Sequence, residues 1–173
     1  NSWVPLAVEG MHDGSYGTAL PPDRKPIMIT RPEDHIGQPY LEVDPAKVIA
    51  VVPTDRQDSA SSLSAPDEVS RAIAGHVVEF LTNEVEQGRM PADGLLPLQA
   101  GIGNVANAVL AGLEHSQFTN LTCYSEVIQD SMLGLIREGK VAHASSTSLA
   151  LSHAGLAELV AGIDIYRDHI TRS

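Results

Sequence analysis

From residue 66 onward, segments patterned for helix alternate with short apolar segments patterned for strand. That alternation constrains the fold more than any other feature of the sequence. "SAPDEVSRAIAGHVVEFLTNEVEQG" reads as the first helix. Ser64 is placed to cap it, Pro66 falls in the first turn, and Asp67 and Glu68 suit the positive end of its dipole. Val69, Ile73, Val77, Phe80 or Leu81, and Val85 recur at spacings of three and four and mark the face expected to be buried. Gly88 ends the helix. "LLPLQ" (95–99) reads as a short strand, "AGIGN" as a glycine turn, and "NVANAVLAGL" (104–113) as a helix small enough to pack closely on a sheet. "FTNLTCYS" (118–125) is the next strand and "VIQDSMLGLIREGK" (127–140) an amphipathic helix ending at Gly139. "VAHASS" (141–146) is a strand and "SHAGLAELVAG" (152–162) a last helix. The order α-β-α-β-α-β-α implies an α/β fold, an open and mainly parallel sheet with helices on both faces.

Upstream the pattern differs. Residues 1–45 are dense in Pro, Gly and Asp and read as loops and short strands. "KVIAVVPT" (47–54) is a continuous β-branched run, as expected of a strand covered on both faces. The polar stretch "DRQDSASSLSAPDE" reads as a linker, dividing the chain into residues 1–62 and 63–173. The chain begins "NSWVPLAVEG", with neither an initiator Met nor a signal pattern, and reads as interior sequence.

Composition narrows the function. Hydrophobic residues make up 43% and charged residues 19%, enough to build a globular core. A net charge of -11 and an aromatic content of 4% disfavour nucleic acid and anionic membrane surfaces. No apolar run approaches the ~20 residues that span a bilayer. A lone cysteine, Cys123, fits a reducing compartment, with the cytoplasm as the default, and its mid-strand position predicts a buried, inert thiol. The seven histidines show no metal-ligand spacing, so no metal is expected. Ser145, Ser146 and Ser148 lack a nucleophile elbow.

Two segments carry unusual residues to the carboxyl edge of the sheet, where open α/β folds bind ligands. In "QAGIGNVAN", Gly101 and Gly103 permit a tight turn and close approach to a ligand. The amides that follow begin a helix and favour negative charge. The pattern is neither a dinucleotide fingerprint nor a Walker loop. On its own it is a plain βα turn or an anion or oxyanion site. In "LTCYSEVIQDSML", Glu126 falls where the strand is expected to end. It is a solvated helix-start carboxylate or a nucleophile or base held on a rigid scaffold. Gln129 and Asp130 read as ordinary first-turn polar residues.

Together these two loops carry a resemblance. "LLPLQAGIGNVANAVLAGL" followed by "LTCYSEVIQDSMLGLIREGKVAHASSTSLALS" closely resembles the acetyl-CoA hydrolase/CoA-transferase family, and "VPLAVEGMHD", "PYLEVDPAKVIAVVPTD" and "SAPDEVSRAIAGHVVEFL" extend the likeness over nearly the whole chain. The resemblance implies a CoA-transferase-like α/β fold and makes Glu126 the nucleophile in Y-[ST]-E-V-x-Q-D. It also makes Gly101, Ile102, Gly103 and Asn104 the oxyanion and CoA-binding loop. Acyl-CoA and short-chain carboxylates would be the substrates, with no cofactor beyond the CoA thioester, and the full-length protein a homodimer. It would be cytoplasmic, or mitochondrial in a eukaryote. Net acyl-CoA hydrolysis, or a non-catalytic ligand-binding or assembly role, are the alternatives. Family members are longer and contain two related α/β domains. Residues 1–62 would be the end of the first and 63–173 the start of the second, so the substrate cleft is expected to be incomplete.

Overall fold

Strand β1, Leu121–Ile128, buries Leu121, Cys123, Ser125 and Val127 and exposes Tyr124 and Glu126. This is the two-residue alternation of a sheet with one face packed. The computed structural model describes residues 11–14, 22, 23, 26, 28–39, 43–56, 60 and 65–172. β1 pairs in parallel with β2 (Val141–Leu149), from Thr122 opposite His143 to Ile128 opposite Leu149. β3 (Ile170–Arg172) joins the far edge of β2, also parallel, so the order is β1-β2-β3. On the other edge of β1, Leu98 makes a parallel bridge to Cys123. Its amide donates to Thr122 O at 2.8 Å, and its carbonyl accepts from Tyr124 N at 2.9 Å.

The helices are α1 (Glu68–Glu86), α2 (Asn104–Glu114), α3 (Asp130–Arg137), α4 (His153–Ala161) and the short α5 (Ile163–Tyr166). One apolar core joins them to the sheet. Leu110 and Leu113 of α2, Met132, Leu133, Leu135 and Ile136 of α3, Leu159 of α4 and Tyr166 of α5 meet Leu121, Cys123, Val141, Ala144 and Ile170 of the strands. Each fully buried leucine contributes ~1.5–3 kcal/mol through the water it no longer contacts. The expected parallel α/β sheet is therefore present, α2 and α4 lie where their periodicity puts them, and α3 lies within its expected span.

Five local expectations are corrected. The cap of α1 is Asp67, whose carboxylate accepts from Ser70 N at 2.7 Å, so Pro66 precedes the helix; Ser64 lies outside the described residues. The packed face of α1 is also different. Ser70 and Ala74 are buried and Val78, Leu81 and Val85 pack on the core, whereas Val69, Ile73 and Phe80 are exposed. α1 is apolar over much of its circumference, and small residues decide which side docks. A Cβ on Gly112 of α2 would sit 3.4 Å from that of Ala74, an approach that bulkier side chains would block.

The run at 47–54 forms no strand. A 3-10 turn, Pro45–Lys47, capped by Asp44, precedes it, and Ile49, Val51 and Val52 are exposed. A strand requires a neighbour for its backbone groups, and among the described residues none pairs with this run. The expected strand at 95–99 shrinks to the Leu98 bridge, because Gly94 (φ 77°) and Leu95 (φ 53°) turn the backbone and send Leu95 into the core.

The boundary between β1 and α3 also moves. β-Branched Val127 and Ile128 stay in register with Ser148 and Leu149, and Ala150 N donates to Ile128 O at 2.8 Å. The strand therefore runs through Glu126, and α3 starts only at Asp130, with Gln129 as its cap residue. Asp130 also serves the next helix. Its Oδ1 accepts from Ser152 N at 2.9 Å, and Ser152 Oγ caps α4 by accepting from Gly155 N at 3.1 Å.

Two stability outcomes follow. Leu133, fully buried at the centre of α3, should lose about 2–5 kcal/mol on substitution by Ala, read as a lower urea midpoint at constant m-value. A Cβ on Gly155 would sit 2.2 Å from Asp130 Oδ1. Gly155→Ala should therefore displace that carboxylate from the start of α4 and cost about 1–3 kcal/mol in the same titration.

Candidate active site

The site is built where the turn before α2 docks against the end of β1. Ser125, buried at 7% exposure, aims its hydroxyl at this turn: Oγ donates to Ala100 O at 2.7 Å and accepts from Ala100 N at 3.4 Å. Gln129, at 1% exposure, reaches the same turn at Gly101 and Gly103. Its Nε2 donates to Gly101 O at 2.9 Å and its Oε1 accepts from Gly103 N at 3.4 Å. The 2.7 and 2.9 Å bonds have ordinary geometry and the 3.4 Å pair are long, so the first two carry most of the hold. Each contributes about 1 kcal/mol net. Asn107 of α2 adds a further tie, its Oδ1 accepting from Ser131 N at 3.3 Å.

Glu126 lies between Ser125 and Gln129 in sequence. Because successive side chains of a strand alternate, it projects to the opposite side from Ser125, with Tyr124 and toward solvent. Its backbone is fixed by the Thr147 hydroxyl, which donates to Glu126 O at 2.7 Å. Among the described residues no hydrogen bond or ion pair engages its carboxylate. A rigid ladder thus holds an accessible carboxylate with no paired cation among the described residues.

The glycine turn has the opposite polarity. Gly103 is the N-cap of α2, at φ 140°, a conformation that strains any side chain. It supplies no side-chain cap, so the amides at the start of α2, beginning with Asn104, are open to an acceptor. Gly103 O receives Asn107 N at 3.0 Å, closing the first helical turn. Ile102 is 67% exposed, and its amide has no hydrogen-bond partner among the described residues. An accessible carboxylate and a positive backbone end therefore sit on adjacent segments tied together by Ser125 and Gln129. Such a pairing suits acyl chemistry, in which negative charge develops on a carbonyl oxygen.

Gly101, Ile102, Gly103 and Asn104 form the turn, which docks against the end of β1, the strand that carries Glu126 on the face opposite Ser125. Glu126 is within β1, two residues before its end, and not at the point where the helix begins. Gln129 is the correction of most consequence. It is no ordinary first-turn residue but a buried clamp on the glycine turn. Its signal is the β-branched pair Val127-Ile128, which extends the strand and leaves Gln129 at the sheet edge beside the preceding turn.

Cys123 is buried and desolvation pushes its thiol up to about 11. His143 is also buried, with Nε2 2.8 Å from Thr171 Oγ1, and burial lowers its pKa. It lines a surface depression with Glu33, His35 and Arg167. A second depression runs along α1 beside Phe80. Neither contains Glu126 or the glycine turn. Among the described residues no cluster of His, Cys, Asp and Glu could hold a metal ion. No described helix is long and apolar enough to cross a membrane.

No family model matches the chain. Known proteins do. Over 158 residues it is 48% identical to an acetyl-CoA hydrolase of Eremothecium gossypii, covering 91% of this chain and 30% of that protein. Over 170 residues it is 44% identical to an acetyl-CoA hydrolase of Schizosaccharomyces pombe, covering 98% and 32%. It is 45% identical, again over 170 residues, to a succinyl-CoA:acetate CoA-transferase of Clostridium kluyveri, covering 98% and 31%. The chain spans about 30% of the length of these relatives. With identity of this order along nearly all of its residues, carried on a parallel α/β sheet, the chain belongs to the acetyl-CoA hydrolase/CoA-transferase family.

Proposed function

We propose that the segment carries the nucleophile of an acyl-CoA:carboxylate CoA-transferase acting on short-chain acids. The observation that supports this most is the docking of the glycine turn onto β1 by the residues on either side of Glu126. In this reading the Glu126 carboxylate attacks the thioester carbonyl of an acyl-CoA. The C–S bond breaks, leaving an acyl-glutamyl anhydride and CoA thiolate. The thiolate then attacks the glutamyl carbonyl, releasing the donor acid as its carboxylate and forming a glutamyl-CoA thioester. An acceptor carboxylate attacks that thioester and runs the two steps in reverse, regenerating Glu126. The kinetics are ping-pong.

The physical chemistry is consistent at each point. A carboxylate attacks as the anion, so this reading calls for no general base beside Glu126. What it requires is a fixed position and donors for the tetrahedral oxyanions, for which the strand ladder and the glycine turn are suited. The same reading makes residues 1–62 the end of one domain and 63–173 the start of another. The full-length enzyme would be a cytoplasmic homodimer, or mitochondrial in a eukaryote, with CoA as part of the substrate and no separate cofactor.

A second reading has equal support from the relatives. Two of those compared are named acetyl-CoA hydrolases. In a hydrolase, water and not a carboxylate resolves the intermediate. CoA release that accelerates with added acetate or succinate favours transfer; release indifferent to either acid favours hydrolysis.

Covalent trapping tests the common core of both. A full-length chain carrying this segment, treated with acyl-CoA and then hydroxylamine or borohydride, should gain a mass change on the peptide containing Glu126. Glu126→Gln should abolish it, and a modification mapping elsewhere would exclude the mechanism. Because the chain spans about 30% of the length of its relatives, the 173-residue chain alone should give no measurable acyl exchange between two carboxylic acids.

A further inference from the structure

Gln129 is the buried polar side chain beside the site to which the acyl-transfer steps assign no role. Its two bonds go to groups of opposite kind, a carbonyl at Gly101 and an amide at Gly103. A primary amide can donate to one and accept from the other at the same time. Glutamate, when ionised, could only accept; lysine could only donate; methionine of similar length could do neither to comparable effect.

This arrangement separates two amides that otherwise look alike. Gly103 N–H is directed to Gln129 Oε1 at 3.4 Å, while Ile102 N–H has no partner among the described residues. An amide already directed to a fixed acceptor is a poorer donor to a transient oxyanion. A free amide on a clamped turn is a better one, because it is oriented before the charge appears.

We propose that Gln129 is a positioning residue for the acyl-transfer site: it clamps the glycine turn to β1, engages Gly103 N–H, and leaves Ile102 N–H as the oxyanion donor of the turn. Ser125 fixes the preceding residue, Ala100, in the same way. The inference rests on the reading of Glu126 as nucleophile, and the tests are chosen to fail separately.

The clamp is read on the 173-residue chain by amide hydrogen exchange. Gly103 should be protected relative to Ile102, and Gln129→Met should remove the difference. If Gly103 exchanges as fast as Ile102 in the unsubstituted chain, the clamp is absent and the proposal falls. Its consequence is read on a full-length chain carrying the segment, by the rate of Glu126 adduct formation from acyl-CoA. Gln129→Met should slow that step by about a hundred-fold or more, in the range seen when one oxyanion donor is lost, while KM for acyl-CoA moves little. Ser125→Ala, a milder change that deletes only a hydroxyl, should give a smaller drop with the same kcat-only signature and covers the case in which Gln129→Met does not fold. Adduct on Glu126 forming at an unchanged rate in both variants would overturn the positioning role and leave the nucleophile intact. No adduct on Glu126 in the unsubstituted protein would remove the nucleophile, and the proposal with it.

Discussion

The parallel ladder between β1 and β2 is the constraint on which the rest depends. Its register runs from Thr122 to Ile128 and decides which side chains of β1 enter the core and which stand outside. A slip of one residue would exchange the two sets, burying Glu126 and exposing Cys123 and Ser125. The core residues of α3 anchor the strand from below, and the Leu98 bridge holds its free edge. The same ladder brings Ser125 and Gln129 within reach of the glycine turn. Fold and site are therefore one arrangement: the pairing that buries Leu121 and Val127 also presents the carboxylate.

Much of this was legible in the sequence, for identifiable reasons. α2, α3 and α4 carry their own period, with α2 following a glycine turn, α3 stopped by Gly139 and α4 set between Ser152 and Gly162, so local chemistry suffices to place them. β1 was legible as a strand because Leu121, Cys123 and Ser125 alternate with polar neighbours. Its end was not, because Val127 and Ile128 fit a helix or a strand equally well and only pairing with Ser148 and Leu149 decides between them. α1 shows the same limit in another form. Its apolar residues cover two faces, and the choice fell to Ala74 and Gly112, whose significance lies in a contact between distant segments.

The run at 47–54 is the sharpest case. Its β-branched residues state a preference for extended structure, and the described residues give that preference no neighbour to bond. Strand propensity is a statement about fitting a pleated, half-buried surface, and without the surface it has no effect. The site divides along the same line. Glu126 and Gly101 to Gly103 were legible as candidates at the sheet edge, with either bland or functional readings open until the family resemblance implied their roles. Gln129 was not, because a glutamine in a helix's first turn is usually solvated, and its burial here follows from the docking of a turn 28 positions upstream.

Cys123 gives the register a chemical consequence. It lies three residues before Glu126 on the same strand but on the packed face, with its thiol raised to about 11. At neutral pH about one molecule in ten thousand carries the thiolate, the form that attacks acyl groups. The acyl anhydride and thioester of the proposed mechanism are both vulnerable to a competing sulfur nucleophile, and a thiol on the exposed face of this strand would be placed to intercept them. By folding its one cysteine inward, the chain keeps its only thiol away from the face of the strand that carries Glu126.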